Sequence, residues 1–302
     1  MPRSLLSLES LPADAMLEIL TRSKELKAER GRHREHPLRH QCWGIIFNKS
    51  STRTRVSFEV GIREFGGDPI FLSAADMQLG RGEPVKDTAR VLGRMLHGAV
   101  IRTYAQADLE EFAQYSGLPV INALTDDEHP CQILCDLLTI AERLGDWRGK
   151  TIAFLGDGSC NVPASLLWAA KKLDFKLVIG APEKYQPSAA VRARLGDSPN
   201  IRYEIDPASA VRGADVLYTD VWVSMGKEAE SRERLEALRG WELNAELVGK
   251  SKPGVLVLHC LPAYRGQEIS ADVLEANADA IFQQAENRLH GQKAVLAWCV
   301  GG

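Results

Sequence analysis

The sequence has little of three things that would place it in a specialised class of protein. No apolar run approaches the ~18 residues of a membrane-spanning helix. No internal repeat or low-complexity stretch is present. The formal net charge is only −3 and the pI is about 6.2, so the sequence does not indicate a basic surface for nucleic acid or an anionic membrane. We therefore expect a soluble globular protein with neither a nucleic-acid nor a membrane partner.

Cysteine is scarce as well, with six residues spread over a chain of 302. That density excludes a disulfide scaffold and favours the reducing environment of the cytoplasm. The N-terminal segment lacks the small-residue cleavage site of a secretory signal, and its pattern predicts an amphipathic helix from about Pro12. We therefore expect a cytoplasmic location.

Metal-ligand spacing is also missing. Cys131 and Cys135 lie four residues apart, but no second cysteine pair follows them, as it would in a zinc site. His33, His36 and His40 fall in the run GRHREHPLRH at 31–40. So many charges in one short run are typical of a solvated linker, so we expect no metal at either place.

Short apolar runs alternate with amphipathic helical patterns along the whole chain, which predicts parallel sheets flanked by helices. So many units exceed one sheet of ordinary width, and we expect an α/β fold with two doubly wound parallel-sheet domains linked by interdomain helices. The predicted strands are CWGIIF (42–47), DPIFL (68–72), GAVIR (98–102), LPVIN (118–122), TIAFLG (151–156), KLVIGA (176–181), IRYEI (201–205), DVLYTD (215–220), GVLVLHC (254–260) and DAIFQQ (279–284).

The domain boundary is predicted within a helix. The run from Pro130 to Leu144 places its apolar residues on one helical face, with Pro130 suited to the first turn and Gly145 to the C-terminal cap. We take this helix as the crossing between a first domain, residues 1–133, and a second domain, residues 134–285. A final helix, about 286–302, is expected to pack back on the first domain.

The run STRTR at 51–55 follows one predicted strand and opens a helix. A helix N-terminus presents unpaired backbone N–H groups and a partial positive charge, which suit a phosphate group. Three hydroxyls and two arginines add further donors. The run lacks the glycine framework of a P-loop, so we interpret it as an anion site of another kind.

Two further segments of the first domain reach the carboxyl ends of strands, where ligands bind in such folds. Arg102 ends the strand GAVIR, and His129 and Gln132 lie where the boundary helix begins. Together with the STRTR run they predict a cationic pocket with one imidazole. Such a pocket would hold a phosphate group and polarise a carbonyl beside it.

In the second domain, Gly156-Asp157-Gly158 follows a strand and precedes a helix, as a dinucleotide fingerprint would. The third glycine is absent and no acid follows the next strand to bind a ribose, so we do not expect a nicotinamide cofactor. Asp220 and the run 223–226 suit the charged head of an amino acid instead. Cys260 follows another strand, and its residue type fits a nucleophile, a substrate contact or a buried thiol.

In this order the motifs resemble the aspartate/ornithine carbamoyltransferase family, and within it the ornithine branch. The resemblance covers nearly the whole chain. HPCQ, DVWVSMG and HCLPA are the runs that separate the two branches. The matching runs are FNKSSTRTR (47–55), MQLGRGE (77–83), IRT (101–103), DEHPCQ (127–132), TDVWVSMG (219–226), HCLPAYRG (259–266) and ENRLHGQKA (286–294).

The resemblance implies carbamoyl transfer from carbamoyl phosphate to the δ-amine of L-ornithine in arginine biosynthesis, with no cofactor and no metal. It also implies a homotrimer in which Gln78 reaches a neighbouring site. The implied catalytic residues are Arg53, Arg102, His129, Cys260 and Arg288. The implied carbamoyl-phosphate contacts are Ser51, Thr52, Arg53, Thr54, Gln78, Arg102, His129, Gln132, Cys260, Leu261 and Arg288. The implied ornithine contacts are Asn161, Asp220, Ser224 and Met225.

Two departures from the family pattern are visible. The run GDGSCN is one residue longer than the family's usual GDG-Asn-Asn, and Asn161 is chosen by aligning the stretch that follows. Ser50 stands where the family often has proline. Three other functions are kept as alternatives: a transferase acting on another amine, a non-catalytic relative with the same fold, and a nicotinamide-dependent dehydrogenase. The direction of net flux is left open.

Overall fold

A computed structural model describes residues 2–73, 77 and 82–301 of the chain. The chain divides into two compact units, one formed by Met1–Leu138 with Asn287–Gly302 and the other by Thr139–Glu286. Each contains one parallel sheet with helical connections, which confirms the predicted fold class. In the part of the chain that the structure describes, no helix has both the length and the apolar composition of a membrane span.

The first unit contains a four-stranded parallel sheet in the order β2-β1-β3-β4. Three strands, β1, β3 and β4, are mostly apolar and almost wholly buried, whereas β2, at one edge, has only exposed and partly buried residues. The elements are α1 (Ala13–Ala28), β1 (Cys42–Phe47), α2 (Thr52–Glu64), β2 (Asp68–Ser73), α3 (Val85–Leu92), β3 (Gly98–Arg102), α4 (Gln106–Ser116), β4 (Val120–Leu124) and α5 (Pro130–Leu144).

The strand order decides where a ligand can bind in the first unit. The chain leaves β1 for β2 on one side, and β3 then pairs with β1 on the other side. The loops after β1 and β3 therefore diverge and leave a crevice at the carboxyl ends of the strands. Asn48 joins these loops, because its backbone N–H donates to the Arg102 carbonyl at 2.8 Å and its side chain donates to Thr103 Oγ1 at 2.9 Å.

The second unit contains a five-stranded parallel sheet in the order β7-β6-β5-β8-β9. Here the order reverses between β5 and β8, so the loops after these two strands form the equivalent crevice. The elements are β5 (Thr151–Leu155), α6 (Asn161–Lys172), β6 (Lys176–Gly180), α7 (Ala189–Leu195), β7 (Ile201–Glu204), α8 (Pro207–Val211), β8 (Val216–Thr219), α9 (Ser231–Ala237), α10 (Ala245–Gly249), β9 (Leu256–His259), α11 (Ala271–Ala276) and the start of α12 (Ala278–Val300). From Asn287 onward α12 belongs to the first unit.

The predicted strand DAIFQQ (279–284) is wrong, because these residues form the first turns of α12. Ile281 and Gln284 are fully buried while Phe282 is exposed, which is a helical spacing and not the alternation of a strand. A short apolar run does not by itself distinguish the two structures. The final helix consequently begins at Ala278, earlier than the predicted start near 286.

The solvated-linker interpretation of residues 31–40 is wrong at His33. His36 and His40 are exposed, but only 6% of the His33 side chain is accessible. The ring packs edge-on against Phe65, with centroids 5.9 Å apart. The burial of His33 could not be predicted from the charged residues around it, because a single buried side chain in a loop produces no periodic pattern in the sequence.

Within the first unit, α5 and α12 approach closely at Gly291. A Cβ atom placed on Gly291 would lie 2.5 Å from Cys135 Sγ, a distance that real Cβ contacts do not adopt. The absence of a side chain at Gly291 therefore sets the spacing of the two helices. This spacing matters because Gln132 of α5 and Arg288 of α12 lie near the same contact and bond to each other.

We expect Gly291→Ala to lower the free energy of unfolding of the first unit by about 1–3 kcal/mol, because the added methyl overlaps the Cys135 thiol. Urea unfolding measures the change. Adding Cys135→Ala to Gly291→Ala should restore part of the loss, since it removes the overlapping atom. Gly249→Ala is a control for the residue change, because its Cβ would meet nothing within 4 Å. Equal stability of Gly291→Ala and the parent would contradict this account.

Candidate functional site

The N-terminus of α2 is built by its own hydroxyl residues. Ser51 caps the helix, and its Oγ accepts from the Thr54 backbone N–H at 3.3 Å. The same hydroxyl donates to Thr54 Oγ1 at 3.0 Å. Thr52 is exposed, Arg53 is half-buried, and no acidic residue occupies the first turn. The helix end therefore keeps the positive partial charge that favours an anion.

Arg288 joins this helix end to α5. Its Nη2 donates to Thr54 Oγ1 at 3.0 Å, and its Nη1 donates to Gln132 Oε1 at 2.6 Å. Arg288 and Gln132 are both almost wholly buried. Residues distant in the sequence, at 54, 132 and 288, are thus held in one place by direct bonds. A planar guanidinium in such a position is suited to binding a phosphate or carbonyl oxygen.

Arg102 and His129 are buried with this group. Burial holds the pKa of His129 well below its usual value, and the positive charges of Arg288 and Arg102 lower it further. The imidazole is therefore neutral near pH 7. A neutral imidazole beside two guanidinium groups donates a hydrogen bond to a carbonyl oxygen without adding to the positive charge.

Arg55 lies apart from the group, although it belongs to the same run as Arg53. Its Nε donates to Glu59 at 2.7 Å, and its guanidinium stacks on the Phe71 ring at 3.7 Å. The periodicity of α2 separates the two arginines by two positions, which places them on different faces of the helix. Gln78, which the resemblance assigns to a neighbouring site, lies outside the described residues.

Several residues that support this group were not singled out from the sequence. Asp136 accepts from the Gln132 side chain at 2.8 Å and orients it. Lys49 is buried, pairs with Asp126 and lies 4.2 Å from the centre of the Tyr104 ring. Lys49, Tyr104 and Asp126 each follow a different strand of the sheet, so these contacts join three loops at the carboxyl edge. The only available signal was position, since each follows a predicted strand.

Cys131 and Cys135, whose spacing raised the question of zinc, are buried thiols. Burial raises the pKa of Cys131 to about 12, and its Sγ donates to the Asn122 carbonyl at 3.4 Å. Burial raises the pKa of Cys135 as well. Since zinc binds the thiolate form, these two residues as they stand are poor metal ligands.

In the second unit, Asp220 and Cys260 meet at the carboxyl ends of β8 and β9. Cys260 Sγ donates to Asp220 Oδ1 at 2.9 Å, and the Val221 backbone N–H donates to the same oxygen at 2.7 Å. Burial raises the pKa of Asp220, although His259 and the bond from Cys260 oppose that rise. A buried carboxylate with so few donors is suited to bind a cationic ligand group.

His259 and Glu268 hold the loop that carries Cys260. His259 Nδ1 accepts from the Leu261 backbone N–H at 2.8 Å, and its Nε2 lies 3.0 Å from Glu268 Oε1. Leu261 adopts a left-handed backbone conformation, with φ at 57°, which costs free energy for a leucine. These bonds keep the loop in that conformation. Sequence analysis did not assign Glu268, because it lies eight residues beyond Cys260 and is brought back only by the fold.

In the Gly156-Asp157-Gly158 turn, the backbone conformation and the close contacts explain why both positions are glycine. Gly156 has a φ of 129° and lies against Trp222, and a Cβ on Gly158 would lie 2.7 Å from Ile179 and 2.9 Å from the Tyr185 carbonyl. These contacts account for the glycines without a dinucleotide.

Asp157 links this turn to the segment after Met225. Its Oδ2 accepts from Arg234 Nη1 of α9 at 2.5 Å, and its Oδ1 accepts from Ser159. Cys160, which follows Ser159 in this run, is also close to acids, since Asp157 and Asp220 add to the rise that burial causes in its pKa. The turn before α6 therefore lies near the loop that follows β8.

The remaining predicted ornithine residues lie on loops of the same edge. Asn161 is the first residue of α6, Ser224 is half-buried, and Met225 is 43% exposed. Asn161 thus follows β5, and Ser224 and Met225 follow β8, while Asp220 and Cys260 are bonded to each other.

One group of described residues has metal-ligand chemistry. Potential ligand atoms of Asp220, His259 and Cys260 lie within 4.8 Å of one another. Both ring nitrogens of His259 are already engaged, one by Leu261 and the other by Glu268. Metal binding by His259 would therefore cost one of the bonds that hold its loop.

The amino-acid sequence matches two protein-family descriptions in succession. Residues 3–142 match the "Aspartate/ornithine carbamoyltransferase, carbamoyl-P binding domain", and residues 148–299 match the "Aspartate/ornithine carbamoyltransferase, Asp/Orn binding domain". Among similar proteins, an ornithine carbamoyltransferase of Akkermansia muciniphila is 57% identical over 97% of this chain and 97% of its own length. That of Gloeobacter violaceus is 48% identical over 99% of this chain and 96% of its own length.

Solved structures agree with these matches. The ornithine carbamoyltransferase of Pyrococcus furiosus superimposes with a TM-score of 0.91 at 43% identity, covering 100% of this chain and 98% of that one. The anabolic ornithine carbamoyltransferase of Campylobacter jejuni superimposes with a TM-score of 0.93 at 38% identity, covering 98% of both chains.

The lowered pKa of His129 leads to a testable pH dependence. We expect its imidazole to stay neutral in the folded protein as the pH falls below about 6.5, where the unfolded chain gains a proton. Because the unfolded state then binds more protons, the contribution of His129 to stability is complete above pH ~6.5 and declines as the pH falls below it. NMR titration of the imidazole carbon-bound protons tests this, with His129→Asn identifying the resonance. A His129 midpoint at or above about pH 6.5 would show the opposite behaviour.

Proposed function

The chain belongs to the aspartate/ornithine carbamoyltransferase family, and we propose that it transfers the carbamoyl group of carbamoyl phosphate to the δ-amine of L-ornithine. The products are L-citrulline and phosphate. The observation that carries this proposal is the bonded group of Thr54, Gln132 and Arg288, with Arg102 and the neutral His129 beside it. Such a group matches an anion attached to a carbonyl.

The phosphate is assigned to the N-terminus of α2. Ser51, Thr52, Arg53 and Thr54 supply hydroxyls, backbone N–H groups and one charge, and Arg102 supplies a second charge. Ser51 and Thr54 are fixed before the substrate arrives, because the helix cap and the Arg288 bond hold them. Fixed donors lose little free energy to reorganisation when charge builds on the leaving phosphate.

The carbonyl is assigned to His129, Gln132 and Arg288. In the proposed reaction the neutral amine of ornithine attacks the carbonyl carbon, and a C–N bond forms as the carbonyl oxygen gains negative charge. The C–O bond to phosphate then breaks, and phosphate leaves with the bonding electron pair. His129 and Arg288 stabilise the charged oxygen, and the amine proton is released. Catalysis then depends on positioning and charge stabilisation.

Ornithine is assigned to the second unit. Asp220 provides a buried carboxylate for the α-amino group, with Asn161, Ser224 and Met225 lining the same edge. Cys260 and Leu261 are assigned to the reacting amine and the carbamoyl group. The bonds from His259 and Glu268 support this assignment, because they give the loop a single conformation.

The assembly and cellular role are extended from the family resemblance. We propose a homotrimer in which Gln78 of one protomer reaches the site of its neighbour, acting in arginine biosynthesis in the cytoplasm. The free state of all six thiols supports a reducing compartment. The likeness to an anabolic enzyme supports the biosynthetic direction.

A panel of amines tests the proposed substrate. We expect citrulline from carbamoyl phosphate and L-ornithine, and no carbamoylated product from L-aspartate, putrescine or N-acetyl-L-ornithine. The reason is that Asp220 and its neighbours bind the free α-amino group that putrescine and N-acetyl-L-ornithine lack. Colorimetric detection of the ureido product measures all four reactions. Turnover of another amine alone would overturn the ornithine assignment, and turnover of none would favour a non-catalytic relative.

The two arginines of the STRTR run provide a matched pair of variants. We expect Arg53→Met to lower kcat/KM for carbamoyl phosphate by about 10²–10³-fold, because it removes one charged donor from the reacting phosphate. Arg55→Met should stay within about threefold of the parent, since Arg55 pairs with Glu59 on the helix surface. Steady-state kinetics at saturating ornithine measures both. Similar losses in the two variants would contradict the assignment of Arg53 alone to the phosphate.

A further inference from the structure

Away from the carbamoyl-phosphate group, the first unit buries a second set of charged side chains. We call His33, Glu64 and Lys293 the lysine cluster. The Lys293 side chain is completely buried, and its Nζ donates to Glu64 Oε2 at 2.5 Å and to His33 Nε2 at 2.8 Å. A buried ammonium needs such partners, because its removal from water is unfavourable unless acceptors replace the water. The proposed reaction uses none of these three residues.

The role of His33 in the cluster follows from hydrogen-bond chemistry. An ammonium group only donates, so His33 Nε2 accepts and the ring is neutral with its proton on Nδ1. Burial lowers the pKa of His33 and the charge of Lys293 lowers it further, while Glu64 and Glu29 act in the opposite direction. His33 therefore stays in the accepting form at neutral pH.

The cluster joins the same two helices as the carbamoyl-phosphate group. Near its start, α2 is joined to α12 by the bond of Thr54 to Arg288, and at its end by the bond of Glu64 to Lys293. Between these two bonds the helices lie close together, as shown by Gly61, on which a Cβ would lie 3.0 Å from Lys293 Cγ. Two bonds ten residues apart on α2 oppose both sliding and tilting of this helix on α12.

We propose that His33, Glu64 and Lys293 are positioning residues that hold α2 in register with α12, so that Thr54 and Arg288 face one anion. This role rests on the proposed function only in taking that anion to be a phosphate group. A displacement of about 1 Å at a binding group is enough to weaken its interactions severely. The cluster therefore acts on anion binding from the far end of α2.

The positioning role includes a dependence on pH. The groups around His33 are Lys293 from α12, Glu64 from α2, Glu29 at the end of α1, and Arg30, which pairs with Glu64. When His33 gains a proton it no longer accepts from Lys293, and two positive charges then face each other. Because the neutral ring is the bonded form, the contact is complete at neutral pH and is lost as the pH falls through the pKa of His33, which burial holds below its usual value.

The first test compares binding of inorganic phosphate to the full-length protein by calorimetry at about pH 7.5. We expect Lys293→Met to raise the Kd about tenfold, because α2 loses its second attachment. Lys24→Met, which changes an exposed lysine of α1, is the matched control and should bind like the parent. Thermal unfolding establishes that each variant is folded at the temperature of measurement. A folded Lys293→Met with the parent's Kd overturns the positioning role.

The second test uses His33→Gln, which keeps an acceptor near Lys293 but does not titrate. We expect the ratio of the parent's Kd to that of His33→Gln to rise about threefold between about pH 7.5 and 5.5. Taking the ratio removes the titration of phosphate and of groups common to both proteins. A constant ratio overturns the proposal, and this test does not require Lys293→Met to fold. A parent that binds no phosphate and makes no citrulline would overturn the proposed function itself.

Discussion

The guanidinium of Arg288 is the group on which the first unit depends. It reaches from α12 to Gln132 on α5 and to Thr54 at the start of α2, so three helices share one buried charge. A buried cation in this position is costly without acceptors, and here neutral side chains supply them. Its charge is therefore left available to a ligand. Its charge also lowers the pKa of His129 and so helps to keep that imidazole neutral. The same guanidinium therefore offers charge to a ligand and sets the protonation state of His129.

The second unit arranges its buried carboxylate differently. Asp220 is bonded by one thiol and one backbone N–H, and it stands where the strand order of the sheet reverses. The loop that carries its partner Cys260 is held by the bonds of His259 to Leu261 and Glu268. At the carboxyl edge of its sheet the first unit thus has a buried guanidinium, and the second unit has a buried carboxylate. These opposite charges match an anionic carbamoyl donor and an acceptor that carries an α-amino group.

Much of the architecture could be predicted because it depends on local pattern. Apolar runs such as CWGIIF and GAVIR are buried inner strands, and the helix from Pro130 to Leu144 has the predicted bounds. Prediction failed at 279–284, where the apolar run is too short for its periodicity to distinguish a strand from a helix. It also failed at His33, which is buried by contacts from Phe65 and Lys293 that lie far along the chain. Neither failure concerns the carboxyl edges of the sheets, where the residue types after each strand indicated the ligand sites.

The sequence by itself determined which residue types stand at the ends of the strands, because helix caps, strand runs and turns are encoded within a few neighbouring residues. Only the tertiary structure decided which of them meet. Arg53 and Arg55 belong to the same STRTR run, yet only the packing of α2 against β2 brings the Phe71 ring to the Arg55 guanidinium. Asp136, Glu268 and Lys293 carry no local signal, because their importance comes from partners brought together by packing. Burial then sets their chemistry, since a charge removed from water must be compensated by the groups that the fold places around it.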